Sequence, residues 1–217
     1  PVTDSRAARR QLCARARKLV CVNAFAPGAW RYGLPVAVVG LVGAALWLPL
    51  GVALIALTGA VFWFHRDPER TTPAEGVVAP ADGTVSVLRE EGDRLRLGIF
   101  MNLHHVHVNR APYGGTVEAV EHSPGGHWPA FTKSSDRNER LRVDFGDHEV
   151  VLVAGAVARR IHPYVTEGVT VDRGERIGHI SFSSRVDLLL PPEVDRSDLA
   201  VSKGDAVRAG ETPLTHH

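Results

Sequence analysis

A chain of 217 residues has room for one sizeable catalytic domain plus an accessory segment, and it buries enough surface to stand without disulfide staples. The 25 Lys and Arg nearly balance the 24 Asp and Glu, so overall charge gives no reason to expect nucleic acid as a partner. Cys13 and Cys21 are the only cysteines, which excludes a disulfide framework and the ligand spacing of a structural zinc site, and leaves a reduced, cytosolic setting as the default.

The leading segment, residues 1–32, is basic. Arg6, Arg9, Arg10, Arg15, Arg17, Lys18 and Arg31 stand there against Asp4 alone, and Ser5 to Val20 reads as a helix lying on an anionic headgroup surface. Pro1 is consistent with a removed initiator methionine, and the apolar run that follows lies too far in for a secretory signal, so its retention is expected. That run, Gly33 to Phe64, carries no charge over about 32 residues, well past the roughly 18 that mark a membrane helix. Trp47, Leu48, Pro49, Leu50 and Gly51 interrupt it, and the proline there favours a break. Two arms of about 15 residues would each reach about 22 Å, short of the roughly 30 Å hydrocarbon layer, which predicts a tight or re-entrant membrane hairpin. Trp30, Tyr32, Trp63 and Phe64 flank it as interfacial aromatics, and Arg31, Arg66 and Arg70 put both ends on the cytoplasmic face of the cell membrane. A buried helical hairpin in a soluble protein is the competing interpretation.

From residue 65 to 217 the texture is mainly β, predicting a compact barrel or sandwich of short strands resembling a barrel-sandwich hybrid. Strands are expected at Gly76 to Val78, Thr84 to Arg89, Arg94 to Phe100, His105 to Asn109, Gly115 to His122, Leu141 to Phe145, Glu149 to Val157 and Arg176 to Phe182. Val169 to Gly178 and Leu199 to Glu211 each pair an alternating strand with a glycine-centred turn, a texture shared with biotinyl and lipoyl carriers. Lys203 precedes its turn glycine instead of sitting between apolar residues at a hairpin tip, so a carrier has no obvious attachment site.

Three places carry chemistry. They are Phe64-His-Arg-Asp-Pro-Glu-Arg70 leading to Ala79-Pro-Ala-Asp-Gly83, then His105-Val-His-Val-Asn-Arg-Ala-Pro112, then Ile180-Ser-Phe-Ser-Ser-Arg-Val-Asp187. On an expected strand His105 and His107 share one side, which leaves a metal pair open as an alternative to acid–base work, although a third ligand at compatible spacing is missing. An Asp-Gly pair such as Asp82-Gly83 is most often a turn. In this order behind an apolar hairpin, and with Lys133-Ser-Ser-Asp-Arg-Asn-Glu-Arg140, these segments resemble the short form of phosphatidylserine decarboxylase, including its archaeal relatives, from about Gly33 to about Glu211.

That resemblance implies a membrane-bound carboxy-lyase acting on phosphatidylserine or archaetidylserine, made as a proenzyme that cuts itself between Ser183 and Ser184. The Ser184 hydroxyl attacks the preceding carbonyl, and the resulting ester eliminates to dehydroalanine, which hydrolyses to a pyruvoyl ketone. The pyruvoyl group takes the electron-sink role of pyridoxal phosphate, with no metal, and the two fragments stay together as a heterodimer, with a higher oligomer open. By the same resemblance Asp82 and His107 stand beside Ser184 in a Ser-His-Asp type arrangement, and Asn109, Arg110, Lys133 and Asn138 are the substrate-binding candidates, the first two toward phosphate or carboxylate and the last two by ordering a loop near the lipid entrance. Arg110 has a second reading as the partner of a structural carboxylate. The family pattern has glycine where this chain has Ser183, a position at which backbone freedom bears on the cut. Two alternatives stay open: an uncut, non-catalytic membrane-tethered β domain that binds lipid or protein, and a serine hydrolase, for which a nucleophile-elbow glycine pattern is lacking.

Overall fold

The computed structural model describes residues 24–126, 138–155, 161–181 and 184–216. The basic helix expected over Ser5 to Val20, both cysteines, Lys133 and Ser183 lie outside these. Two helices form the apolar hairpin, α1 (Gly28–Leu46) and α2 (Leu48–Phe64). Trp47 alone separates them, in an extended conformation, and Pro49 sits in the first turn of α2, where its missing amide costs nothing. The break therefore falls where composition places it, but α1 starts five residues before the apolar run and takes in Trp30, Arg31 and Tyr32. At 1.5 Å per residue its 19 residues span about 28 Å, so α1 is long and apolar enough to cross a membrane, and α2 is shorter.

Glycine faces let the two helices close on each other. A Cβ on Gly51 would lie 2.3 Å from the Cα of Ala44, and one on Gly33 would lie 2.6 Å from the Phe62 ring. Outward, the hairpin is apolar on all sides, with Leu41, Leu46, Leu48 and Val52 exposed. Its base is tied to the β domain: Phe25 bridges Arg66, the Ala26 amide donates to the His65 carbonyl (2.7 Å), and the Asp67 amide donates to the Ala24 carbonyl (2.8 Å).

The remainder is β structure, as expected. One antiparallel sheet has the order β12-β1-β2-β11-β7-β6-β5, formed by β1 (Gly83–Glu91), β2 (Arg94–Met101), β5 (Ala119–Ser123), β6 (Arg140–Asp144), β7 (Glu149–Ala154), β11 (Ser184–Leu189) and β12 (Ala206–Val207). A second sheet orders β3 (Val108–Arg110), β10 (Arg176–Ile180) and β8 (Ile161–Pro163), and a two-stranded one pairs β4 (Gly115–Thr116) with β9 (Thr170–Val171). The sheets enclose a main core that includes Leu97, Ile99, Leu152, Ile177, Ile180, Val186 and Leu188. Alternation sets the faces and glycine sets the turns: the Gly92-Asp93 turn joining β1 to β2 has Gly92 at φ +66°, a conformation in which other L-residues are strained.

Two departures from the sequence reading bear on the site. The run from His105 to Asn109 is not one strand: β3 starts at Val108, and His105 and His107 lie in the connection from β2. The central strand of the large sheet is β11, a segment for which alternation gives no strand. Ser184 pairs with Met101 of β2 on one side and with Ala154 of β7 on the other, and the register continues to Leu189.

Candidate active site

Ser184 opens β11 and is fully buried. Its hydroxyl donates to the Met101 thioether, Oγ to Sδ 3.3 Å, and the Asn109 amide nitrogen approaches the same sulfur at 3.7 Å. Met101 is the one methionine in the chain and ends β2 directly across from Ser184. Asn109 is likewise fully buried, and its Oδ1 has no hydrogen-bond partner, so an acceptor stands ready beside the serine.

Behind Ser184 the strand is locked by charge. The carboxylate of Asp187, itself without exposure, takes Arg96 at 2.9 Å and Arg185 at 2.8 Å. Opposite it is Gly98, where a Cβ would come within 2.8 Å of the Asp187 Oδ1, so the absent side chain makes room for the carboxylate. Both charged residues of the strand thus satisfy each other indoors.

His107 is buried against the hairpin's end, its ring 4.4 Å from that of Phe64. Its Nδ1–H donates to the His105 carbonyl at 2.9 Å, which leaves Nε2 as the ring's lone-pair nitrogen, buried and without a hydrogen-bond partner. Burial lowers the His107 pKa to about 4, so the imidazole is neutral near pH 7 and able to accept a proton. Burial also lowers His105; the neighbouring His104 adds to this and the negative charge of Asp82 opposes it.

Asp82 is buried just before β1, and its carboxylate is held elsewhere than on His107. Arg70 binds it at 2.8 Å and the Ala209 amide donates to it at 2.8 Å, while Arg70 also reaches Glu211 at 3.0 Å. Among the described residues no hydrogen bond joins Asp82, His107 and Ser184 to one another. Of the other sequence candidates, Arg110 donates to Asp67, to the Pro68 carbonyl and to the Gly174 carbonyl, the structural-carboxylate arrangement. Asn138 is buried and donates to the Ala154 carbonyl at 2.7 Å, anchoring the strand residue that pairs with Ser184.

Both His105 and His107 use Nδ1 for local hydrogen bonds, and no group of three or more metal-ligating side chains occurs among the described residues. Sequence reasoning missed Met101, for which its uniqueness in the chain was the available signal. It also missed His179, buried beneath the hairpin base, stacked on His162 at 4.5 Å and hydrogen-bonded to the Tyr164 hydroxyl at 2.8 Å.

Known proteins are similar to this chain along most of its length. The family model for phosphatidylserine decarboxylase matches residues 57–215, which takes in Asp82, His107 and Ser184. A Halobacterium salinarum protein named as an archaetidylserine decarboxylase proenzyme is 57% identical over 189 residues, covering 87% of this chain and 96% of its own. A Streptomyces griseus phosphatidylserine decarboxylase proenzyme is 50% identical over 173 residues, covering 77% of this chain and 79% of its own. A Methanosarcina acetivorans protein that also carries the archaetidylserine decarboxylase proenzyme name is 43% identical over 157 residues, covering 70% and 72%. No solved structure matches. With the match running through all three chemical segments and most of the β domain, the chain belongs to the phosphatidylserine decarboxylase family.

Proposed function

We propose that this chain decarboxylates the serine headgroup of a membrane phospholipid, phosphatidylserine or its ether counterpart archaetidylserine, to the ethanolamine lipid. The observation that carries the proposal is the placement of Ser184: a buried hydroxyl at the first residue of a central strand, next to Met101 and Asn109, in a family whose relatives are named proenzymes.

In this reading the backbone is cut between Ser183 and Ser184. The Ser184 oxygen bonds to the carbonyl carbon of residue 183, its proton passes to a base, and the C–N bond breaks. His107 is the proposed base, through the Nε2 left open by its Nδ1 hydrogen bond. The role proposed for Asp82 is indirect: its charge acts on His105, whose carbonyl orients His107. Formed at residue 184, a pyruvoyl group would supply the carbonyl and electron sink that loss of carbon dioxide from the serine headgroup requires. Of the groups beside Ser184, the buried Asn109 side-chain NH2, now turned to the Met101 sulfur at 3.7 Å, is the donor that would serve such a carbonyl. Asn109 and Lys133 are the proposed substrate contacts, Asn138 supports the strand behind the serine, and Arg110 holds the approach to β3 through Asp67.

The cut pieces stay together by strand pairing. The smaller, Ser184 to His217, owns β11 and β12, and β11 is bonded on both sides to strands of the larger, so separation would require opening the sheet at its centre. The hairpin is proposed to sit in the cell membrane with the β domain on the cytoplasmic face, among arginines at both flanks.

Intact-mass measurement with and without hydroxylamine tests this. Two masses dividing before Ser184, the smaller modified by the carbonyl reagent, are expected, and the Ser184→Ala chain stays whole. The substitution of serine for the family's glycine at 183 favours one rival, an uncut lipid-binding domain. A single persistent mass that Ser183→Gly converts to two assigns the block to that residue, and a single mass even then overturns the decarboxylase reading.

A further inference from the structure

Among the described residues, Leu103 is the one large apolar side chain outside the hairpin that is strongly exposed, at 52%. It is presented by a closed turn. The Leu103 amide donates to the Asn102 side chain (2.7 Å), the Asn102 amide to His105 Nδ1 (2.9 Å), and the His105 amide to the Asn102 carbonyl (3.0 Å). A hydrophobe held on so constrained a tip is presented by the fold and is not the tip of a loose loop.

The turn is also fastened to the hairpin. Arg66, just past the end of α2, donates from one guanidinium nitrogen to the Trp63 carbonyl (2.9 Å) and from the other to the carbonyl of His104, next to Leu103. The same guanidinium lies 4.4 Å above the Trp63 ring, which is itself 51% exposed. Leu103, Arg66 and Trp63 therefore form one continuous edge, with the apolar hairpin beyond it: an aromatic and an aliphatic tip around a cation, the composition that fits the boundary between acyl chains and anionic headgroups.

We infer that the Leu103 turn is a second membrane contact, seated in that boundary beside the foot of the hairpin. The inference rests on the membrane placement of the hairpin proposed above and adds to it a function for this turn. Met101 and His107 stand on either side of the turn, the first against Ser184 and the second against Phe64, so seating Leu103 sets the candidate active site at headgroup depth. A serine headgroup then reaches the site without its lipid leaving the bilayer.

The test uses the full chain in vesicles containing an anionic phospholipid, with Cys13 and Cys21 replaced by serine and a nitroxide label placed at position 46 or 103. Leu46, at the hairpin tip, reports the hairpin alone. Collision with oxygen favoured over a water-soluble nickel chelate at both positions is the expected result. Label 46 in lipid with label 103 open to the chelate overturns the inference and leaves the hairpin reading standing. Label 103 shielded from both quenchers means a protein partner or second copy covers the turn, which also overturns it. Label 46 in water removes the membrane reading itself. In parallel, Leu103→Asp is expected to raise KM for lipid in vesicles about tenfold, the loss of one seated aliphatic side chain, with turnover of a short-chain, monomeric serine phospholipid unchanged. An equal loss on both substrates would overturn the proposed role.

Discussion

The Ser184 hydroxyl donates to the Met101 thioether at 3.3 Å, a weak acceptor holding the proton of the proposed nucleophile. A thioether cannot take that proton away, so in this geometry the hydroxyl is parked and must turn to a base before it can attack. Met101→Leu keeps the volume and costs less than about 1.5 kcal/mol of stability. It also releases the hydroxyl from a bond worth about 1 kcal/mol or less, so self-cleavage is expected to run up to about fivefold faster. A time course of fragment appearance on a denaturing gel measures this, and markedly slower cutting would instead make the sulfur an orienting group that the reaction requires.

Arg70 reaches Glu211 across 141 residues of chain and also holds Asp82, and the Arg70 and Asp82 side chains are only 8% and 11% exposed. Removing the cation leaves two carboxylates facing each other with little water, a loss of about 3–5 kcal/mol by comparison with other broken buried pairs. For a domain of this size Arg70→Ala is expected to lower Tm by about 10 °C. Arg70→Ala combined with Asp82→Asn should recover part of that loss in a thermal melt, because the stranded charge is gone. If the double variant is no better than the single one, the pair is coupled to something besides its own charges.

What could be read from sequence follows from what each segment must do to its surroundings. The hairpin was legible because its helices are apolar nearly all round, and Pro49 marks its break. The large sheet was partly legible because β1 and β2 bury one face and so alternate. Strand β11 was not, since it is buried on both faces and its Arg185 and Asp187 are neutralised by each other and by Arg96, a pairing that no local pattern announces. The spacing of His105 and His107 reads as a strand, but the turn at Asn102 to His105 consumes it, and the ring of His105 goes to its own backbone neighbourhood. Ser184, His107 and Asp82 became candidates by resemblance to a family, whereas Met101 offered only its uniqueness as a signal and the Arg70 clamp on Asp82 needed three dimensions.

The hairpin is tight at Gly51, where a Cβ would sit 2.3 Å from Ala44 backbone, a clash no rotamer relieves. Gly51→Leu is expected to push α1 and α2 apart while leaving the β domain folded. Cross-linking between cysteines placed at Gly40 and Ile55, which are close neighbours in the hairpin, should fall sharply in that variant. Unchanged cross-linking would mean that the tip absorbs the new side chain without moving the helices.

Acid should loosen the contact between hairpin and β domain. Burial lowers His107 to about 4 and His179 to about 3, with nearby imidazoles adding to the effect at His179. Both are neutral in the folded chain near pH 7 and regain an ordinary value near 6.5 on unfolding, so between these limits the unfolded chain binds more protons. Their contribution to stability is whole above about pH 6.5 and is lost progressively as pH falls toward 4 for His107 and toward 3 for His179. His179 is stacked on His162, near His65 at the end of α2, and hydrogen-bonded to Tyr164, so a charge there strains the seam beneath the hairpin. Tm measured from pH 8 to pH 4.5 is expected to hold and then fall below about 6.5, with His179→Gln flattening the acid limb because glutamine still serves Tyr164 and does not titrate. An acid limb unaltered in that variant would place the titrating groups among the carboxylates.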